Sequence, residues 1–265
     1  MAAETHGIHM PLDDVAFKAR EIVHTPEALR NLAELNRQFP HPEPRTASVR
    51  FLRELGCPDK FIPLVQQLNT PREIQEYINV HFTYNQSDTT KSIRGILETG
   101  SNHAHCFEGA FFGLGLLEVH GWRPPGVVVL QAGDNKYGED HNFVPFLSGE
   151  RLGSIAMSAW DSLKGKPPVY PSLRDLVLGG YYFPFTSEMD EYRGVWNLVG
   201  YSDIIDVVAK FGMGWMFREG KHALDDIYHN YAKNLMCTHL FNYKRYRYID
   251  EKPGARVASG EERTR

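Results

Sequence analysis

The stretch SNHAHCFEGAFFGLGLLEVHGWRPPGVVVL, residues 101–130, predicts a buried helix followed by a buried strand. Its apolar run FFGLGLL is typical of a helix core, and the breaker cluster GWRPPG ends that helix. The β-branched run at residues 127–130 then predicts a short strand. The predicted N-terminus of this helix carries a cysteine, two histidines and a glutamate. It is therefore the first candidate for a functional site.

The composition is that of a globular protein with a sizeable core. The chain has 265 residues, of which 42% are apolar and 23% charged, so one folded body is the simplest expectation. Its formal charge of -4 provides no field that would attract nucleic acid or an anionic membrane. No apolar stretch approaches the roughly 18 residues of a spanning helix, and the N-terminus lacks the pattern of a signal peptide. We therefore expect a cytoplasmic protein with neither nucleic acid nor a membrane as its partner.

The middle of the chain predicts a helix and antiparallel strands in succession. The helix at residues 106–120 and the strand at residues 127–130 are followed by a polar loop and a second predicted strand at residues 141–147. A Ser-Gly turn then leads into a third predicted strand at residues 151–157. A helix followed by antiparallel strands is an α+β arrangement.

The regions on either side of this core predict further helices. Residues 1–84 are expected to form an N-terminal helical region packed on the core, with a capping box in TPRE at residues 70–73. Residues 85–171 form the expected core, residues 172–251 a C-terminal helical region, and residues 252–265 a mobile tail with almost no apolar residues. We expect these regions to form a single globular domain.

Cys106 stands in the expected first turn of the central helix. A sulfur at that position lies near unpaired backbone N–H groups and the positive end of the helix dipole, which favour the thiolate. The same N–H groups can donate to the oxygen that gains charge when the sulfur attacks a carbonyl. Cys106 is therefore the candidate nucleophile, although a small core residue would also fit the position. The remaining cysteines, Cys57 and Cys237, are predicted to be small core residues.

A cysteine nucleophile requires a proton shuttle, and His141 is the candidate for that role. It begins the predicted strand that follows the helix and the polar loop, so the imidazole and the sulfur of Cys106 can be brought together by successive elements. Glu108, two positions into the helix, is expected to have a structural role in the first turn. A carboxylate facing the sulfur would instead oppose its deprotonation.

The segments FTYN, SIRGILETGSNHAHCFEGAFFGLGLLEVHGWRPPGVVVL and DHNFVPFLSGERLGSIAM, together with a preceding helix that carries Tyr77, resemble the core of the transglutaminase-like superfamily. The resemblance covers residues 72–157, about a third of the chain. It implies a papain-like α+β fold, in which a central helix bearing the cysteine packs on an antiparallel sheet. It also implies that Cys106 is the nucleophile and that His141 is the general base and acid.

The third catalytic residue departs from the pattern of that family. There, a carboxylate on the strand after the Gly turn orients the histidine, whereas this sequence has SIA at residues 154–156. The nearest acid is Asp161, which is therefore the expected third member of a catalytic triad. Ser154, Ser158 or a backbone carbonyl could hold the imidazole of His141 in its place.

These residues predict a cysteine-dependent acyl-transfer enzyme. Cys106 would attack the carbonyl of an amide, ester or thioester in a small-molecule or peptide acyl substrate, and His141 would pass the thiol proton to the leaving group. Water or an amine would then release the acyl-enzyme, so a hydrolase and an acyltransferase both remain open. This chemistry requires no cofactor.

Two further functions fit the same residues. His103, His105, Cys106 and His141 are all acceptable zinc ligands, so a metal-dependent hydrolase is one of them. The second is a non-catalytic binding module of the same fold, because the strand at residues 154–156 lacks an acid.

Overall fold

The computed structural model of the protein describes residues 45–85, 89–99, 103–122, 126–132, 141–181, 198–234 and 239–240. The helices predicted before residue 45 and the tail predicted at residues 252–265 lie outside these residues. Cys237 lies outside them as well.

The described helices surround one long central helix, which begins at Cys106. Thr70 starts an earlier helix in the predicted manner: the Thr70 hydroxyl accepts the N–H of Glu73, and the Glu73 carboxylate accepts the N–H of Thr70. No helix in the described ranges is both long and apolar enough to cross a membrane. In chain order the helices are α1 (Val49–Glu54), α2 (Ile62–Gln67), α3 (Pro71–His81), α4 (Ile93–Glu98), α5 (Cys106–Val119), α6 (Leu173–Leu176), α7 (Val207–Phe211) and α8 (Asp225–Asn234).

A six-stranded sheet, as far as the described residues define it, packs against the central helix. Its strand order is β6-β5-β4-β3-β7-β8, and every neighbouring pair is antiparallel. A separate parallel pair, β1 and β2, leads the chain into α5. The combination of helices with an antiparallel sheet is α+β, as predicted. The strands are β1 (Thr83–Tyr84), β2 (His103–Ala104), β3 (Val128–Ala132), β4 (His141–Ser148), β5 (Arg151–Ile155), β6 (Lys166–Tyr170), β7 (Leu198–Tyr201) and β8 (His239–Leu240).

Alternate residues of β4 point into two separate cores, one on each face of the sheet. Val144 and Phe146 belong to the core that the sheet shares with α5 and the N-terminal helices. Phe143 and Leu147 belong to a second core on the opposite face, which includes Tyr181. We call these the helix face and the far face of the sheet.

Two glycines bring the backbone of α5 into direct contact with the sheet. A Cβ atom at Gly109 would lie 2.3 Å from Cβ of Met157, and one at Gly113 would lie 2.7 Å from Cγ2 of Ile155. Gly109 and Gly113 are four residues apart and therefore lie on one side of the helix. Because neither position has room for a side chain, the start of α5 is fixed closely against β5 and the residues that follow it.

The sheet extends further along the chain than the sequence analysis predicts. The positions of β3, β4 and β5 agree with the predicted strands, but β7 and β8 lie in a region predicted to be helical. β7 is the run LVGY, which is too short to show a period of two, and it forms by pairing with β3. Asp206 caps α7, where its side chain accepts the N–H of Ala209.

Candidate active site

Cys106 is the first residue of α5, and it is partly exposed. His105 precedes it in an extended conformation as the N-cap residue, so Cys106 lies where the chain changes from β2 to helix. Its sulfur forms no disulfide bond within the described part of the chain. At this position the sulfur is next to the N–H groups of the first helical turn. The predicted location of Cys106 at a helix start is confirmed.

Asn142, the second residue of β4, is the side chain that the sheet presents to this sulfur. Its Nδ2 atom donates to Sγ of Cys106 over 3.5 Å. Asn142 is 8% exposed, so the amide is held in a largely buried position beside a more accessible thiol. The sequence does not predict this role for Asn142. Its only signal was its position next to His141 on a predicted strand.

His141 lies on the far face of the sheet. Successive side chains of a strand point to opposite faces, so the contact between Asn142 and Cys106 turns the imidazole of His141 away from the sulfur. The ring of His141 lies 5.7 Å from that of Tyr181, centroid to centroid, and Nε2 is 2.8 Å from the carbonyl oxygen of Leu163. The structure therefore does not bring His141 and Cys106 together.

The imidazole of His141 is buried and stays neutral near pH 7. Its pKa is lowered from 6.5 to about 4, mainly by burial; the hydrogen bond to Leu163 acts in the opposite direction, and the nearby ammonium group of Lys166 adds to the lowering. A neutral imidazole that is bonded to a carbonyl donates through Nε2, which leaves Nδ1 without a proton. The imidazole is thus neutral and enclosed beside the Leu163 carbonyl.

Asp161 does not hold the imidazole of His141. Its side chain is mostly exposed at the start of a short 3₁₀ helix, Asp161–Leu163, and forms an ion pair of 2.6 Å with Lys164. The backbone carbonyl of Leu163 takes the position beside His141. The two serines considered for this role bond elsewhere: Ser154 Oγ shares a hydrogen bond with the hydroxyl of Tyr181, and Ser158 Oγ accepts the N–H of Trp160.

Glu108 is fully buried and ties the first turn of α5 to the segment before α4. One carboxylate oxygen accepts the hydroxyl of Thr89 and the N–H of Lys91, each over 2.8 Å. The second oxygen accepts the N–H of His105 over 3.3 Å and lies 3.7 Å from the ammonium group of Lys91. The carboxylate is thus satisfied by this segment, which fits the structural role expected for Glu108.

Lys91 is the buried cation of this arrangement, and the sequence analysis missed it. Its ammonium group donates to the carbonyl oxygen of His103, so it links β2 as well as Glu108. Its signal in the sequence was weak, because a lone lysine between threonine and serine ordinarily predicts an exposed turn. The pair shows that the position of Cys106 is supported by buried charge as well as by the sheet.

The zinc-binding arrangement is not formed. In the described ranges, no three His, Cys, Asp or Glu side chains lie close enough together to hold a metal ion. His105 Nε2 is 2.6 Å from the carbonyl oxygen of Thr89, and His141 is on the far face of the sheet. His103, His105, Cys106 and His141 therefore do not converge on one point.

A pocket of about 370 Å³ opens next to the segment that carries Cys106. Tyr84 lines it, and this residue is paired with Ala104, two positions before the cysteine. Met157 lines it too, and its Cβ atom packs on Gly109, three positions after the cysteine. The volume lies in the range of small-molecule sites. We call this cavity the Tyr84–Met157 pocket.

Cys57 provides a contrast to Cys106 within the same chain. It is 4% exposed, and burial raises the pKa of its thiol to about 11, with Asp59 adding to the shift. The prediction that Cys57 is a small core residue is confirmed.

No protein-family model matches the chain, and no curated protein matches it significantly.

Proposed function

We propose that the protein is a cysteine-dependent acyl-transfer enzyme with a papain-like, transglutaminase-like core. The observation that carries the proposal is the Cys106 thiol at the first residue of a buried helix, with the Asn142 amide directed at its sulfur. This placement gives a sulfur nucleophile both helix N–H groups and a side-chain donor within one small volume.

The reaction begins with attack of the Cys106 sulfur on an acyl carbonyl. A bond forms between Sγ and the carbonyl carbon, and the carbonyl oxygen gains negative charge. The backbone N–H groups of the first turn of α5 and the Asn142 amide are the available donors for that charge. When the bond to the leaving group breaks, the leaving group takes a proton and an acyl-enzyme remains, which water or an amine resolves.

His141 is not the direct partner of the sulfur in this proposal. Its imidazole lies on the far face of the sheet and is neutral, with its Nε2 bonded to Leu163. Its hydrogen bond to Leu163 anchors the start of β4, from which Asn142 projects. The roles of His141 as general base and of Asp161 as its orienting acid remain predictions from the resemblance.

A non-catalytic binding module of the same fold is the second candidate. The burial of His141 favours it, because a thiol enzyme of this class ordinarily has an imidazole on the same face as its sulfur. In that case the Tyr84–Met157 pocket would bind a ligand that Cys106 does not attack.

Trapping an acyl-enzyme separates the two candidates. We would incubate the protein with a p-nitrophenyl ester at pH 7 and measure p-nitrophenol release, intact mass and the modified peptide. We expect one acyl group on Cys106, none in Cys106→Ser, and an unchanged result in Cys57→Ser, since Cys57 is buried and its thiol has a raised pKa. All three proteins would carry Cys237→Ser, which leaves Cys106 and Cys57 as the cysteines to compare.

Reaction with iodoacetamide serves as the control for accessibility. If Cys106 is alkylated readily but forms no acyl adduct with activated esters or thioesters, the enzyme proposal is wrong and the binding module stands.

A further inference from the structure

Cys106 does not itself line the Tyr84–Met157 pocket, but two of the pocket's walls contact the chain on either side of that residue. Tyr84 is paired with Ala104 in β1 and β2, and the N–H of Asn85 donates to the carbonyl of Ala104 over 3.0 Å. Met157 packs on Gly109, one helical turn after the cysteine. Val144 of β4 pairs with Ile155 of β5 in an antiparallel register. Asn142 lies two residues before Val144 and Met157 two residues after Ile155, so the register directs these two residues toward the same end of the strand pair.

The wall that contains Met157 is fixed by an unusual side-chain contact. Gln75 of α3 bonds the backbone of Ala156 twice: its Oε1 accepts the N–H over 2.9 Å, and its Nε2 donates to the carbonyl over 3.0 Å. The amide of Gln75 thus pairs with the chain just after β5 as a neighbouring strand would. The pocket is therefore formed by fixed elements in the resting protein.

The polar groups of the pocket select a particular kind of ligand. Its buried lining combines the apolar side chains of Ile78, Phe82 and Met157 with Ser158, and its exposed lining includes Asn79. The charged side chain of the lining is Lys164, whose counter-ion Asp161 is mostly exposed and stands outside the lining. A short apolar chain with an anionic end matches this order of groups.

We propose that the Tyr84–Met157 pocket binds the acyl group of the substrate, and that this group is a short chain ending in a carboxylate, presented as a thioester. The inference rests on the proposed function, because it places the reacting carbonyl at Cys106. In the reaction, the bond between Sγ and the carbonyl carbon forms, the carbon–sulfur bond of the donor breaks, and the cysteine proton passes to the released thiol.

The first experiment fills the pocket without touching the thiol. Asn79 is exposed and lines the pocket, whereas the next residue, Val80, is 75% exposed and does not line it. We would measure acylation of Cys106 by the N-acetylcysteamine thioester of succinate in Asn79→Trp, Asn79→Ala and Val80→Trp. Asn79→Ala controls for the loss of the hydrogen bond from Gln75.

We expect at least a tenfold loss of acylation in Asn79→Trp, a clearly smaller loss in Asn79→Ala, which leaves the pocket open, and a rate within twofold of the wild type in Val80→Trp. Alkylation of Cys106 by iodoacetamide, which is too small to need the pocket, should change less than twofold in all of them.

The second experiment tests the charge. The succinyl thioester should react faster than the butyryl thioester, and Lys164→Glu should remove this preference by lowering the succinyl rate about fivefold, the effect of a partly exposed charge pair. The matched control is Lys60→Glu, since Lys60 is exposed on another part of the chain. The butyryl rate should stay within twofold in both variants.

The outcomes distinguish failure of the proposed acyl-transfer function from failure of the assignment of the pocket. If wild-type Cys106 accepts no thioester or activated ester, the proposed function is wrong. If it accepts succinyl thioester but Asn79→Trp reacts like Val80→Trp, the pocket is not the acyl site. If Asn79→Trp is impaired but butyryl and succinyl donors react equally, the pocket binds the acyl group and the assigned carboxylate is wrong.

Discussion

The two faces of the sheet hold the two residues that a cysteine enzyme would bring together. The helix face carries Cys106 and Asn142 beside an open pocket. The far face holds His141 in a closed core with Tyr181 and Lys166, and burial lowers the pKa of Lys166 to about 7. Since neighbouring strand residues point in opposite directions, a single step along β4 decides which of its first two side chains meets the sulfur.

The far face is a mainly apolar core in which a few polar groups are buried. Ser154 and Tyr181 share a hydrogen bond of 2.7 Å, and burial raises the pKa values of Tyr181 and Tyr170 above the usual range of a tyrosine. The comparison teaches that two residues with suitable chemistry on successive elements can still lie on opposite faces of a sheet. The following predictions test that separation, from the largest expected effect to the smallest.

Gly109→Ala should loosen the contact that holds the helix face together. The added Cβ atom would lie 2.3 Å from Cβ of Met157, and the helix must move to admit it. We expect the free energy of unfolding to fall by about 3 kcal/mol, measured by denaturant titration. Gly214→Ala is the control, because a Cβ atom there has no neighbour within 4 Å. Equal stability of the two variants would contradict the close contact.

His141→Gln should reduce the loss of folding stability that occurs between pH 7 and pH 4. The folded protein keeps His141 neutral down to about pH 4, whereas the unfolded chain binds a proton below about 6.5, so the free energy of unfolding falls as the pH drops through this interval. The contribution lost is about 3 kcal/mol. Comparing denaturant titrations of both proteins at pH 7 and pH 4 isolates it. If the free energy of unfolding changes equally between pH 7 and pH 4 in both proteins, the imidazole of His141 is exposed to water and its buried position is contradicted.

Asn142→His should place an imidazole base on the helix face, where His141 does not reach. An imidazole at this position would stand beside the Cys106 sulfur and take its proton, which is expected to raise the rate of acylation about a hundredfold. The rate with an activated ester measures it, and the same substitution in a Cys106→Ser background is the control. No increase at pH 7 would mean that the sulfur is not poised for attack.

Asn142→Leu should weaken the site without altering its shape greatly. Loss of the donor to Sγ is expected to slow acylation of Cys106 about tenfold, and Asn142→Asp should be slower still because its negative charge opposes the thiolate. Rates of acylation and of iodoacetamide alkylation, measured in parallel, test this order. If Asn142→Leu reacts at the wild-type rate, the amide has no part in the chemistry.

The local structure around Cys106 could be predicted from the sequence. The apolar run and its breaker marked the extent of α5, and the capping residues of α3 stood at TPRE as expected. The structural role of Glu108 also followed from elementary electrostatics, since a first-turn carboxylate suits the helix dipole.

The orientation of His141 could not be predicted in the same way. The first seven residues of β4 are all buried, because both faces of the sheet are covered, so the sequence HNFVPFL shows no alternation that would assign each side chain to a face. The same limitation hid Asn142. β7 was missed for a related reason, since a four-residue strand depends on its partner more than on its own pattern.

The buried contact between Glu108 and Lys91 has a consequence for how the site assembles. The carboxylate and the ammonium group can leave water only when the chain before α4, the start of β2 and the first turn of α5 are all in place. These three segments are therefore expected to order in one cooperative step and to open together in hydrogen exchange. A partly folded chain would therefore lack the whole arrangement around the thiol. The reactivity of Cys106 is expected to appear only in the native state.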